Sequence, residues 1–359
     1  MKTIIKLLFA VALVLFNVEL AATGADAVTM ALSITGSASI AGLMLPASYY
    51  NGATTLNVIT DVKVWLDYVV EKIRKTNDFL TKSVDHSSKV LGGAVVYIPQ
   101  AGADPVVEIN ANTYPGVAVR RTDSDINYAL DAYRTVPSHI PWVELQTISY
   151  DKIDSVVGGH TNVLVEAIAD NLLRNWAPIE AGNQIVTTDA TNLSQPAAGQ
   201  TGTRKGLSYK DVAKARAVLN AQGVPVNSRV AVIDSWMEES FYASLTDTQM
   251  NAFQQFADNA KGIIGRLHGF DFYVRQSSLA YAIGATTPKA YGAAIAATDN
   301  LASLFWHPDF VARAIGEIKP FQDQGNPLYY GDIWSMIVRA GGRRLREDNK
   351  GVVAVIQAA

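Results

Sequence analysis

His86, His139, His160, His268 and His307 are the side chains of this sequence best suited to metal ligation or proton transfer. None sits in an H-x-H or H-E-x-x-H pattern, so no metal site is expected and each reads as a surface or packing residue. The chain has no cysteine, which removes disulfides, thiolate chemistry and cysteine-ligated zinc together. Gly199-Gln-Thr-Gly202-Thr-Arg-Lys-Gly206 offers glycines and cations. It lacks the spacing of a phosphate-binding G-x-x-x-x-G-K-[ST] and a strong strand before it, and reads as a loop. No G-x-S-x-G elbow exists for a serine nucleophile. Asp123 and Asp125 could imitate an acid–base carboxylate pair, but Arg120 and Arg121 beside them point to an ion-pair network. Arg343-Arg344-x-Arg346 is followed at once by Glu347-Asp348 and reads as a solvated turn. Trp306, Phe310, Tyr329, Tyr330 and Trp334 read as core, since a nucleic-acid stacking platform normally comes with a basic groove. No constellation for an enzyme and no cofactor site emerges.

Composition narrows the classes further. At 359 residues the length suits about two domains. With 49% apolar and 18% charged residues, a sizeable core is possible and global disorder is not expected. A net charge of −3 and a pI near 6.0 argue against a binder driven by phosphate counterion release. They do not argue against a protein that encloses nucleic acid without gripping it. At the start, Lys2 and Lys6 precede an apolar run from Leu7 to Phe16, and Ala25-Asp26-Ala27 follows as an A-x-A pattern. This has the form of a secretory signal peptide, too short for a comfortable membrane span. The alternatives are translation from Met30, or a removable or buried N-terminal arm.

The elements are read from periodicity. Residues 31–56 are small and unperiodic, predicting a flexible arm. Asp61–Leu80 predicts an amphipathic helix with Val62, Trp65, Val69, Ile73 and Phe79 on one stripe. Residues 90–151 hold no lysine and are punctuated by Pro99, Pro105, Pro115, Pro137 and Pro141. Strands are expected at 94–98, 105–109, 117–121 and 125–133, together a long β-hairpin excursion. Leu164, Ile168, Leu172 and Trp176 then mark one face of a long helix from Tyr150, ended by Pro178. Gly158-Gly159 lies inside it and marks a break or a bendable point. Residues 187–206 read as loop. Ser208, with Asp211 three residues on, opens a helix closed by Gly223 and Pro225. A strand 229–233, a helix capped at Asp234-Ser235, a helix 250–260 and strands at 268–274 and 293–297 follow. Strands 331–339 and 351–356 are expected to close the chain as an antiparallel pair. The fold class is mixed α+β.

This order of parts resembles the tailed-phage major capsid protein family, the Hong Kong 97 fold. The local matches are Gly92-Gly-Ala-Val-Val-Tyr-Ile-Pro-Gln100, Val117-Ala-Val-Arg-Arg-Thr-Asp-Ser-Asp125, and Arg266-Leu-His-Gly-Phe270 leading to Ser277-Ser278. The resemblance covers roughly residues 57–357. It implies a signal-like or removed segment at 1–29, an N-terminal arm and helix at 30–89, and an extended β-hairpin E-loop at 90–149. A peripheral domain with the long spine helix follows at 150–206, then an axial domain at 207–300 and a return to the peripheral domain at 301–359. The implied function is self-assembly of hexamers and pentamers into an icosahedral shell around double-stranded DNA, assembled in the host cytoplasm, with a scaffolding protein and a portal as partners. The helix at Asp61 leaves too little chain before it for a large fused scaffolding domain. Arg120, Arg121, Asp123 and Asp125 become candidates for contacts to a neighbouring subunit, and Gly158-Gly159 the bend of the spine helix.

Two features depart from the family. Some members crosslink through an E-loop lysine, whereas here Lys89 and Lys152 only flank the loop, so no such crosslink is expected. The signal-like start does not suit a cytoplasmically assembled shell. An encapsulin-like compartment enclosing cargo protein, and a secreted surface-layer or adhesion protein, are the competing functions.

Overall fold

The computed structural model describes residues 77–89, 95–110, 112, 116, 118–147, 152–195, 203–276 and 279–358. The expectations for residues 1–76, including the signal-like segment, Met30, the arm and most of the helix 61–80, lie outside the described residues. The end of that helix is described and is a single 3-10 turn, Asp78–Thr81, with Phe79 buried.

Strand β1 (Val84–Asp85) leads to β2 (Val95–Gln100), which pairs antiparallel with β3 (Ser124–Ala129). Val96, Ile126 and Tyr128 are buried on one side of this hairpin, as a period of two requires. Pro99 lies within β2, opposite Asp125, rather than ending it. The expected strand 125–133 is broken at buried Leu130, beyond which β4 (Asp131–Arg134) and β5 (Ser138–Pro141) follow. The expected strands 105–109 and 117–121 do not form at their described residues. Val106, Val107, Ile109 and Val119 are 85–89% exposed. Strand propensity expresses packing against neighbours, and these side chains have no surface of their own subunit to pack on.

Helix α1 (Trp142–Thr147) precedes α2 (Lys152–Trp176), a helix of 25 residues and roughly 37 Å. Its inward face is the expected one, with Leu164, Ile168, Leu172 and Trp176 buried. Strand β6 (Gln184–Val186) precedes the interval 187–206 read as loop, which itself contains β7 (Asp189–Ser194) and β8 (Arg204–Gly206), forming a ribbon. The Thr/Asn composition of 187–194 hid these strands, because polar residues carry no alternation signal. Helix α3 (Tyr209–Ala221) starts with the expected Ser208–Asp211 capping box. Strand β9 (Arg229–Asp234) runs into α4 (Ser235–Ala243), capped by Asp234. Helix α5 (Asp247–Gln254) begins earlier than expected because Thr246 and Gln249 form a second capping box. Strands β10 (Gly265–Leu267) and β11 (Phe270–Arg275) turn through His268 and Gly269, both at positive φ. Strands β12 (Leu279–Tyr281), β13 (Asn300–Trp306), β14 (Val311–Ile315), β15 (Lys319–Asn326), β16 (Gly331–Arg344) and β17 (Val352–Ile356) complete the chain. The expected strand 293–297 is exposed coil.

Two main sheets result. One has the order β10-β11-β9-β13-β17-β6, with β12 beside β13. The other has the order β1-β14-β16-β15, with β4 and β5 also on β16. The expected closing pair 331–339 with 351–356 is therefore wrong: β16 and β17 stand in different sheets. Their compositions explain the separation. Val352–Ile356 is apolar throughout and is buried on both faces, as a central strand of a covered sheet must be. β16 buries Met336, Val338 and Ala340 in alternation and leaves its other face open. Residues 301–359 thus feed both sheets.

Helix α2 serves both of them. Its buried face shares one core cluster with Val230, Val232, Leu304 and Trp306 of the first sheet and with Met336, Val338 and Ala340 of the second. The first sheet's other face meets α3, α4 and α5 through Leu207, Val212, Phe241 and Phe253. At the centre of the shared cluster Phe79, Trp176 and Trp306 pack ring to ring, with centroid distances of 6.4, 6.2 and 5.6 Å. Phe79→Ala should lower subunit stability by about 3–5 kcal/mol in equilibrium denaturation, the usual cost of an unfilled aromatic site. A loss below about 1 kcal/mol would mean that Phe79 is not an anchor.

Candidate functional site

The described residues of the loop between β2 and β3 expose the apolar side chains Val106, Val107, Ile109 and Val119. Its base is fastened by polar contacts. Gly102 N–H donates to the Asp123 carboxylate at 2.8 Å, and Arg121 Nε donates to the same oxygen at 2.6 Å. The Gly102 amide first and the Arg121 guanidinium second hold the Asp123 carboxyl below its ordinary range. A Cβ at Gly102 would stand 2.1 Å from the Thr122 carbonyl oxygen, so only glycine lets the two sides of the loop approach this closely. Of the four expected contact residues the structure brings Arg121 and Asp123 together. Arg120 and Asp125 are exposed, Asp125 opposite Pro99 in the ladder. The expected network is thus one ion pair and an amide clasp.

The hairpin is laid along the end of β16. Arg343 Nη1 donates to the Asn127 carbonyl at 2.7 Å, Gln100 Nε2 to the Leu345 carbonyl at 3.0 Å, and Ser124 Oγ to Glu347 at 2.8 Å. These contacts aim the loop past residue 347 and away from the middle of β16. Lys152, at the start of α2, pairs with Glu144 of α1.

Gly158 and Gly159 do not break α2, which is continuous through them. Apart from the surrounding helix backbone, no heavy atom lies within 4 Å of a Cβ built at either position, so packing does not demand glycine there. One residue on, His160 is buried and burial pushes its imidazole down, as it does at His268 and His307. Among the described residues no three His, Asp or Glu side chains are grouped to hold a metal, and no helix is long and apolar enough to cross a membrane.

The basic cluster is more ordered than a solvated turn. Arg344 holds Glu180 through both terminal nitrogens at 2.5 and 3.2 Å, and Arg346 holds Asp348. Burial raises and the Arg344 hydrogen bond lowers the Glu180 carboxyl, with the net shift downward. The Arg346 side chain draws Asp348 down to about 2. Trp306 is core as expected, but Tyr329 and Tyr330 are exposed beside Leu328 at the β15–β16 turn, next to exposed Trp142 and Val143. The signal against a core place was available in the turn residues Asn326-Pro327 and Gly331 that bracket them. A second missed feature is a groove of about 410 Å³ between residues 134–137 and strands β15 and β16.

No protein-family model matches the chain, nor does any curated protein. Solved structures do. The capsid of Ralstonia phage GP4 matches with a TM-score of 0.59 at 13% identity, over 84% of this chain and 97% of that one. The capsid of Cyanophage P-SCSP1u matches at 0.58 and 16% identity, over 84% and 93%. The capsid of a native GTA particle matches at 0.54 and 13% identity, over 88% and 100%. The chain has the Hong Kong 97-type capsid fold, as the order of its parts in the sequence implied.

Asp123→Asn should weaken the clasp without unfolding the subunit. Limited proteolysis is expected to cut within residues 103–121 several-fold faster, while the circular dichroism spectrum stays unchanged. An unaltered cleavage rate would remove Asp123 from the role of loop closure.

Proposed function

We propose that this chain is the major capsid protein of a tailed double-stranded DNA phage or prophage. It assembles with itself, as hexamers and pentamers, into a closed icosahedral shell that encloses the genome. The observation that carries this reading is the capsid fold joined to a loop that exposes Val106, Val107, Ile109 and Val119 beyond the packed base of its hairpin. Apolar side chains held this far from the body of a subunit gain their burial from another molecule. The role is structural rather than catalytic. Residues 90–149 act as the E-loop, 150–206 with α2 as the spine of the peripheral domain, and 207–300 as the axial domain. Arg120 and Asp125 contact a neighbouring subunit, while Arg121 and Asp123 shape the loop that does so. A separate scaffolding protein and a portal complete assembly in the host cytoplasm. The near-neutral charge suits a shell that packages and releases DNA without gripping it.

Negative-stain microscopy of the expressed protein is the test. Closed polyhedral particles support the reading; fibres, flat sheets or a persistent monomer overturn it. Nuclease-protected DNA inside virion-derived particles separates a genome shell from a cargo compartment. Because residues 90–151 contain no lysine, boiling such particles in SDS should leave a single subunit band. A covalent ladder would refute a shell held by non-covalent overlap.

In this shell Gly158-Gly159 lets the spine helix bend before the particle matures. With space at both positions, Gly158→Ala together with Gly159→Ala should stiffen α2, by about 1 kcal/mol of helix preference per site, and keep the subunit folded. Particle assembly or expansion is expected to change. Particles indistinguishable from wild type would leave the pair without a mechanical role.

A further inference from the structure

The turn between β10 and β11 packs against the flank of α3, and the groups that meet there are cationic. Arg216 of α3 lies with Nη1 3.3 Å from His268 Nδ1. A guanidinium can only donate, so Nδ1 accepts and the proton of the neutral ring sits on Nε2. Burial first and Arg216 second push the imidazole down, which keeps it neutral. Tyr209 of α3 packs on the same ring, with centroids 4.7 Å apart. One turn along α3 from Arg216, Asn220 accepts from the Arg229 guanidinium at 2.7 Å. Arg229 is fully buried, and after burial itself the charge of Arg216 presses it further down.

This cluster has no counterion of its own. The acids of the neighbouring elements are engaged elsewhere: Asp211 in the capping box of α3, Asp271 with Arg266, and Asp309 with His307. Among the described residues no carboxylate pairs with Arg216, Arg229 or His268. Two buried nitrogens of the cluster, His268 Nε2 and Arg229 Nη1, have no hydrogen-bond partner among the described residues. Both carry N–H and can only donate. Buried donors call for an acceptor. A water would accept the hydrogen bonds and leave the charge uncompensated, whereas an anion answers both needs.

We propose that α3 and the β10–β11 turn form a binding site for a phosphate group, with Arg216 as its principal ligand, His268 Nε2–H as a second donor and Arg229 as the buried charge behind them. Phosphate suits this set because its oxygens accept from a guanidinium in pairs and from a further N–H at the same time. The group is either free phosphate or part of a nucleic-acid backbone. Lys210 and Lys214, exposed one turn apart on α3 and unpaired among the described residues, extend the cationic surface beside the site. The site goes beyond the shell reading and does not depend on assembly.

Equilibrium dialysis of the full chain against radiolabelled inorganic phosphate, at constant ionic strength, measures it directly. A single saturable class of binding is expected. Arg216→Gln should weaken it about tenfold or more, the usual worth of a charge-assisted hydrogen bond. His268→Asn, which tolerates the positive φ at 268, should weaken it about threefold or more. Lys319→Gln, an exposed cation of the other sheet, should leave it unchanged. Displacement of the labelled phosphate by a short blunt DNA duplex assigns the site to a nucleic-acid backbone; phosphate binding that the duplex does not disturb assigns it to the free anion. Should Arg216→Gln lose the native circular dichroism spectrum, His268→Asn decides alone. Binding that does not saturate, or that either folded variant leaves unchanged, overturns the proposal.

Discussion

Trp176 stands where three separated stretches of the chain have to meet, and the rest of the architecture follows from seating it. Its ring packs against Phe79 from the leading segment and Trp306 from β13, and its indole N–H donates to the Ala312 carbonyl of β14 at 2.9 Å. Trp306 in turn donates to the Lys82 carbonyl at 2.9 Å. Each large ring is buried and each indole N–H has a partner, so desolvation leaves no orphan donor. Close approach is required on one side: a Cβ at Gly342 would stand 2.4 Å from Leu172 and 2.5 Å from the Ala312 carbonyl. Glycine at 342 is what lets β16 lie under the last turns of α2.

Charge is placed at the seams rather than in the cores. Arg275, its side chain 1% exposed, lies at the end of β11 and reaches Asp170 of α2, the Asn77 side chain at 3.1 Å and the Phe79 ring at 5.6 Å. A buried guanidinium is costly unless its donors are satisfied, and here Asp170 of α2 and Asn77 of the leading segment, two of the stretches that the aromatic cluster joins, accept from it. Arg229 shows the other solution. It is fully buried and donates to the Val224 and Pro225 carbonyls and to the Asn220 side chain, each at 2.7 Å. These contacts fix the α3–β9 connection. Both arrangements favour one geometry of the joint over its alternatives more than they add stability.

What the sequence disclosed depended on whether the signal was local. The face of α2 was legible because Leu164, Ile168, Leu172 and Trp176 recur at helical spacing and one surface receives them all. The Ser208–Asp211 box and the Asp234 cap were legible because capping is a contact between residues a few positions apart. Strand partners were not. Nothing in Gly331–Arg344 or Val352–Ile356 states that each will choose a different sheet, because pairing is decided by which faces are covered. The loop misled for the same reason: Val106, Val107 and Ile109 carry a strand's composition, but a strand needs a neighbour. At the candidate site, the residue types at Arg120–Asp125 announced charge contacts, while the Gly102 amide that selects Asp123 was invisible until the two sides of the hairpin were brought together.

That absent neighbour has a geometric consequence. The projecting apolar segment lies beyond residue 347 at one end of β16, and the open basic–apolar face lies at 335–337 towards the other. Burial of that segment on a different patch of a second copy would make a heterologous contact, which repeats head to tail instead of closing a pair. Such a contact yields a ring if the rotation between copies closes and a filament if it does not. The rotation is set by the angle at which the hairpin leaves the body. The hairpin meets the body through hydrogen bonds from Arg343, Gln100 and Ser124 and through an apolar cluster of Val96, Tyr128, Leu130 and Ala314, so polar and packing contacts together fix that angle.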